Sequence, residues 1–217
     1  MKIIKNRLFF WIFWIFCIGI PFAITIFPFF KKPGSIQAWS DIWSIVTPMI
    51  LPALIIGLIT ASFQYILLKI RFPISPRWFF LTLVGYSLGP IFSVILIIFL
   101  NGILYPKTLN TGGEYFQFFP TALAMVLSGF VVGILQYSEI KLLFAGKVKK
   151  TVGLLWVFLS VLAWSLSFAV GSVWYGQPRL QSMMVGITIG FISGLFFVII
   201  GNENHLKEER RRRDSNS

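Results

Sequence analysis

The chain has 217 residues, 57% of them hydrophobic and only 12% charged, with a formal net charge of +12. At a mean hydropathy of +0.83 it lacks the charged surface that a water-soluble domain of this length needs. The basic excess falls between long apolar runs, which argues against a nucleic-acid-binding patch, and the single cysteine, Cys17, cannot form an internal disulfide.

Six apolar stretches, about 8–30, 45–68, 78–100, 119–137, 152–174 and 182–201, reach or approach the roughly 20 residues a helix needs to cross a bilayer. They do not alternate polar and apolar residues, which excludes the strands of a membrane barrel. The expected fold is all-α: an integral membrane bundle of six transmembrane helices forming one domain, 1–201, followed by a basic tail, 202–217, expected to be disordered. The first stretch follows a basic start and could be a signal peptide. Its run of about 23 apolar residues exceeds the usual 7–15, and no small-residue cleavage site follows, so it reads as an uncleaved anchor.

Fifteen of the nineteen basic residues fall before stretch 1, between 2 and 3, between 4 and 5, or after 6. The positive-inside rule then places both termini in the cytoplasm. Between stretches 1 and 2, Trp39 and Trp43 are one helical turn apart and suit a headgroup-level face. Pro90, near the middle of stretch 3, removes a backbone donor and is expected to kink that helix. The connection 101–118 is rich in turn residues and reads as a loop.

Stretches 2 and 4 carry the same pattern. Gly57, Gln64, Tyr65 and Lys69 recur 72 positions later as Gly129, Gln136, Tyr137 and Lys141. Stretches 3 and 5 share a Trp-led block: WFFLTLVGYSLG from Trp78 recurs 78 positions later as WVFLSVLAWSLS from Trp156, with five of twelve positions identical. Chance likeness between Phe-, Ile- and Leu-rich segments is the plain alternative. Agreement at the scarce polar and small positions favours a parallel tandem duplication, with units of about 45–100 and 119–174. Stretch 6 resembles a truncated third first-helix, with Ser193-Gly194 where the Gln-Tyr pair would stand, and stretch 1 matches neither member.

Small residues one turn apart let helix backbones approach closely. Gly57 with Ala61, Gly129 with Gly133, Gly85 with Gly89, and Gly186 with Gly190 and Gly194 mark such faces. Packing within the chain is the first reading; a homodimer seam or a substrate groove is the second, and the partners expected are a homo-oligomer or a partner membrane subunit. Gln64 and Gln136 lie seven residues after a repeat glycine, on its side of the helix. A glutamine amide in hydrocarbon needs a partner, so these two, with Tyr86, Ser87 and Ser165, are candidates for interhelical hydrogen bonds or a polar pocket. No nucleophile has a base beside it, no metal-ligand cluster and no nucleotide loop is spaced along the chain, and no cofactor is expected. Acidic residues are read as lying in loops, at span edges or in the tail, Glu139 among them. Arg210, Arg211, Arg212 and Arg213 suit anionic lipid headgroups at the cytoplasmic face, or simply fix topology.

The repeated unit G-x3-[GA]-x2-Q-[WY]-x3-[KR], followed by a basic loop and W…[GA]-[YW], resembles that of a set of uncharacterised bacterial polytopic membrane proteins. The likeness covers stretches 2 to 5 and implies a multi-pass fold without a particular activity. By subtraction, the expected role is non-enzymatic: a structural, accessory or regulatory component of the bacterial cytoplasmic membrane, with a small-molecule transporter or its substrate-binding subunit as the alternative.

Overall fold

The computed structural model describes the backbone of residues 7–25, 40–72, 74–104, 114–143, 149–174 and 176–214. All six elements are helices: α1 Arg7–Thr25, α2 Ser40–Arg71, α3 Arg77–Leu104, α4 Glu114–Leu143, α5 Lys149–Ser172 and α6 Pro178–Asp214. Five of them contain a stretch long and apolar enough to cross a membrane: Arg7–Thr25, Val46–Arg71, Ala122–Leu143, Lys150–Ser172 and Pro178–Ile199. In α3 the side chains of 93–94, 97–98 and 100–104 fall outside the described residues. The sixth expected span is therefore established as a helix and no further.

Local chemistry sets several helix ends. Ser75 caps α3, its hydroxyl accepting the Arg77 N–H at 3.2 Å. Gly176, at φ 89°, turns the chain between α5 and α6 in a left-handed conformation that favours glycine, and Pro178 then opens α6 where a missing N–H costs nothing. The helix α3 runs on through Pro90.

Several boundaries differ from those expected. The helix α4 continues past Tyr137 to Leu143 because Glu139 and Ile140 are still buried against the bundle. The ends of the 101–118 connection, 101–104 and 114–118, are helical; the rest of it and Trp39 lie outside the described residues. The backbone of α6 stays helical to Asp214, through the stretch expected to be disordered. Glu203 and Lys207, Glu208 and Arg212, and Glu209 and Arg213 are spaced i, i+4 in the orientation that supports a helix.

Each helix packs on its neighbours in the chain, and α6 returns against α1, so the six close into a ring. Among the described residues no pair packs across that ring. Large rings fill its middle toward the end where α1, α3 and α5 begin. Phe197 of α6, fully buried, meets Phe10 at 6.0 Å, Trp14 at 4.7 Å, Phe72 at 5.8 Å, Trp78 at 6.4 Å and Trp156 at 5.3 Å. A second layer joins Tyr86 to Trp164 at 5.7 Å and Trp164 to Phe22 at 6.2 Å. The outer surface is apolar, with Leu51, Leu58, Phe80, Phe158 and Ile199 all more than half exposed, while Thr60, Gln64, Gln136 and Glu139 are buried. That distribution is the reverse of a water-soluble protein's.

The glycines are where backbones touch. A Cβ on Gly129 would lie 2.6 Å from the Ser160 carbonyl oxygen and 2.8 Å from the Val161 Cα, and one on Gly133 2.9 Å from the Val157 Cα. On α2, Gly57 faces the Leu83 carbonyl at 2.8 Å and the Ser87 hydroxyl, and Ala61 is fully buried. Between the pairs the fit is looser: Gly85 approaches Val132 at 3.3 Å and Gly89 approaches Ser128 at 3.6 Å. A methyl group at 129 must push against backbone, whereas one at 89 meets ordinary contact distances. Gly129→Ala should therefore lose about 1–3 kcal/mol of stability in a reversible detergent unfolding assay. Gly89→Ala should stay within about 1 kcal/mol of the parent.

Candidate functional site

The buried polar groups between the helices are the part of this chain able to do chemistry or recognition. Gln136, fully buried on α4, ties three helices together. Its Nε2 donates to Thr82 Oγ1 of α3 at 2.7 Å, and its Oε1 accepts from Trp156 Nε1 of α5 at 3.2 Å. Both ends of the amide are thus satisfied away from water, where each such bond is electrostatically strong.

Gln64, its counterpart on α2, is 1% exposed and is placed differently. Its side chain is hydrogen-bonded to Tyr86 of α3, and its Oε1 finds no partner among the described residues. Trp78 Nε1, Thr60 Oγ1 and Ser87 Oγ, all buried in the same helix pair, also lack partners among those residues. Ser87 lies against Gly57. Ser165, its counterpart by spacing, donates to the Val161 carbonyl one turn back at 2.7 Å. The structure therefore brings Gln64, Tyr86 and Ser87 together on the α2–α3 pair, and it places Gln136 at the α3–α4–α5 junction with Ser165 apart from both.

On α6, Ser193 stands at the position that matches Gln136, and it too meets a tryptophan. Trp14 Nε1 of α1 donates to Ser193 Oγ at 2.9 Å, and that hydroxyl donates to the Ile189 carbonyl at 2.6 Å. Gly186, Gly190 and Gly194 all face α1: their built Cβ atoms would lie 2.8 Å from Phe22, 2.8 Å from Ile15 and 2.7 Å from Trp11. Stretch 1 thus packs face to face with stretch 6.

Glu139 also corrects an expectation. It is a helical residue inside α4, 3% exposed, and not a solvated edge charge. One carboxylate oxygen accepts from Ser75 Oγ at 2.7 Å, and the other lies 3.9 Å from Arg77 Nε. Arg77 is 64% exposed, so screening leaves that ion pair little strength; the short serine bond is what pins the α2–α3 turn onto α4. A sequence signal existed, because residue 139 falls three positions after Gln136 and seven after Val132, on the same buried helix face. Its charge hid it.

The Arg210, Arg211, Arg212 and Arg213 run lies on the α6 backbone, and its side chains are outside the described residues. Among the described residues no three His, Cys, Asp or Glu side chains gather closely enough to hold a metal ion. Comparison with known proteins finds no matching family, no similar curated protein and no similar solved structure.

Gln136→Leu removes the acceptor of a buried indole N–H, so it should cost about 1–3 kcal/mol, measured by unfolding in detergent. In a Trp156→Phe background the same change should cost less. The difference between the two costs is the coupling through that bond.

Proposed function

We propose that this chain is a multi-pass protein of the bacterial cytoplasmic membrane, with both termini in the cytoplasm. It acts without catalysis, as a structural, accessory or regulatory component. On this reading all six helices cross the bilayer and the pairs α2–α3 and α4–α5 are parallel tandem copies. One observation carries the proposal: large aromatic rings and helix-to-helix bonds such as Trp156 to Gln136 occupy the interior, and an apolar skin surrounds it. Such a body suits hydrocarbon as solvent and offers another protein or the lipid a rigid apolar surface.

The orientation follows from where the basic residues fall. Lys69, Arg71, Arg77, Lys141 and Lys150 flank the same ends of the helices as Arg7, and Arg179 stands at the opposite ends. Anionic headgroups on the cytoplasmic leaflet are the natural partners of the larger set.

A second reading, a small-molecule transporter or its substrate-binding subunit, is favoured by the partnerless polar atoms of Thr60, Gln64 and Ser87. The two readings separate in a thermal-stability screen against small solutes. An accessory protein shows no stabilisation, whereas a ligand held at a hundred times its Kd adds about 2.7 kcal/mol.

Topology is tested with single cysteines in a Cys17→Ala background. Arg179→Cys should react with a membrane-impermeant maleimide in intact cells. Arg77→Cys and Lys150→Cys should react only after the cells are opened. Labelling of position 77 and position 150 from opposite sides would overturn the proposed arrangement.

A further inference from the structure

The packing of α6 on α1 can be overlaid on that of α4 on α5 by number alone. Gly186 faces Ile18, Gly19 and Phe22, as Gly129 faces Ser160, Val161 and Trp164; Gly190 faces Ile15, as Gly133 faces Val157. The offsets are 57 on the first helix and 142 on the second throughout. The same offset places Trp14 on Trp156, and the repeat in the sequence places Trp156 on Trp78. All three indoles are buried, at most 2% exposed. Their counterparts one aromatic layer on are Phe22, Trp164 and Tyr86.

The comparison exposes one difference. Trp14 donates to Ser193 and Trp156 donates to Gln136, so two indoles reach the matching position of the helix they pack against. In the α2–α3 pair the matching residues are Trp78 and Gln64. There both the Nε1–H and the Oε1 lack a partner among the described residues. Tyr86 supplies the cause. It holds the Gln64 side chain through its hydroxyl, and neither Trp164 nor Phe22 has a hydroxyl to do the same.

We propose that the α2–α3 pair binds one hydroxyl group, from water or from a small neutral alcohol, between Trp78 Nε1 and Gln64 Oε1. The inference rests on reading the chain as repeated helix pairs. A hydroxyl oxygen accepts the indole N–H while its own hydrogen goes to the amide carbonyl, so one group satisfies a donor and an acceptor together. A charged ligand does not suit the spot, because burying an ion there without a counter-charge is far costlier than burying a hydroxyl. Thr60 Oγ1, one turn outward on the Gln64 face of α2 and fully buried, offers a further hydrogen-bonding group. A groove of about 390 Å3 lies on the outer side of this pair, lined by Ser62, Tyr65, Ile66, Pro76, Phe79 and Phe80. Tyr65 and Phe79, the chain neighbours of Gln64 and Trp78, meet edge to face at 6.5 Å in its wall.

The test is magnetic resonance on the full chain in lipid nanodiscs, with 15N-labelled indoles and Trp78 assigned by the Trp78→Phe variant. Cross-relaxation is read in both the laboratory and the rotating frame, so that contact is separated from proton exchange. Of the three matched indoles, Trp78 alone should show direct contact with water protons, while Trp14 and Trp156 show none. If added glycerol shifts Trp78 and neither Trp14 nor Trp156, the bound hydroxyl is an alcohol's; if it shifts none of the three while the water contact persists, the hydroxyl is water's. Gln64→Leu should abolish the Trp78 contact and leave Trp14 and Trp156 as they were. A Trp78 indole with neither water nor glycerol contact means a direct bond to protein and overturns the site. Equal water contact at all three indoles overturns the comparison between pairs instead.

Discussion

Close approach of two helix backbones is the constraint on which this architecture depends. On the proposed membrane reading, helices gain little from hiding apolar side chains, and dispersion between well-fitted surfaces has to hold them together. That force decays over fractions of an ångström, so the residue at the crossing point matters more than the many around it. At Gly57, Gly129 and Gly186 a methyl group would come within 3.0 Å of the facing helix. Those contacts fix the three intimate pairs α2–α3, α4–α5 and α6–α1. Contacts between pairs are looser, as Gly85 and Gly89 show at 3.3 and 3.6 Å, and there rings fill the space. Phe197 is the hub of that filling because it touches rings from α1, α3, α5 and the end of α2.

Tight pairs leave the polar side chains little choice of partner. Gln136 has a donor and an acceptor on different helices and uses both. Gln64 sits at the same register but is drawn to Tyr86. A single hydroxyl, present in tyrosine and absent from Trp164, takes up that amide, and Trp78 Nε1 and Gln64 Oε1 have no protein partner among the described residues. Left unsatisfied, each such atom costs about 1–3 kcal/mol, which is the drive for the hydroxyl proposed between them.

Much of this was legible in the residues. The apolar runs mark the helices, the spaced glycines mark the crossing faces, and the scarcity of amides in such a chain makes Gln64 and Gln136 visible. What stayed hidden depends on distance along the chain or on a misleading side chain. Trp14 stands eight residues before Phe22, as Trp78 does before Tyr86 and Trp156 before Trp164, but the intervening residues differ enough to mask the likeness. Its partner Ser193 is 179 positions away, and no local pattern announces such a pairing. Glu139 reads as a surface charge until Ser75, 64 positions earlier, is seen to donate to it. The helical backbone beyond Asn202 was obscured because composition speaks for solvation, while the i, i+4 spacing of opposite charges speaks for a helix.

Closing the ring through its first and last helices also decides where it is weakest. Among the described residues the α6–α1 contact is extensive, whereas α1 meets α2 more sparsely than any other neighbouring pair. At that seam the Arg71 guanidinium lies over the Phe10 ring at 4.9 Å and the Phe72 ring at 5.7 Å. A cation over an aromatic face contributes about 0.5–2 kcal/mol, but one terminal nitrogen of Arg71 is buried with no hydrogen-bond partner among the described residues, which offsets part of that gain. The α2–α3 pair flanks this seam and also carries the unmatched atoms of Thr60, Gln64, Trp78 and Ser87. The sparse seam and the unpartnered atoms thus both adjoin α2, while α4–α5 has tight glycine contacts and a satisfied amide. Local stability follows contact density and satisfied polarity, and among the described residues both are lowest where α2 faces α1.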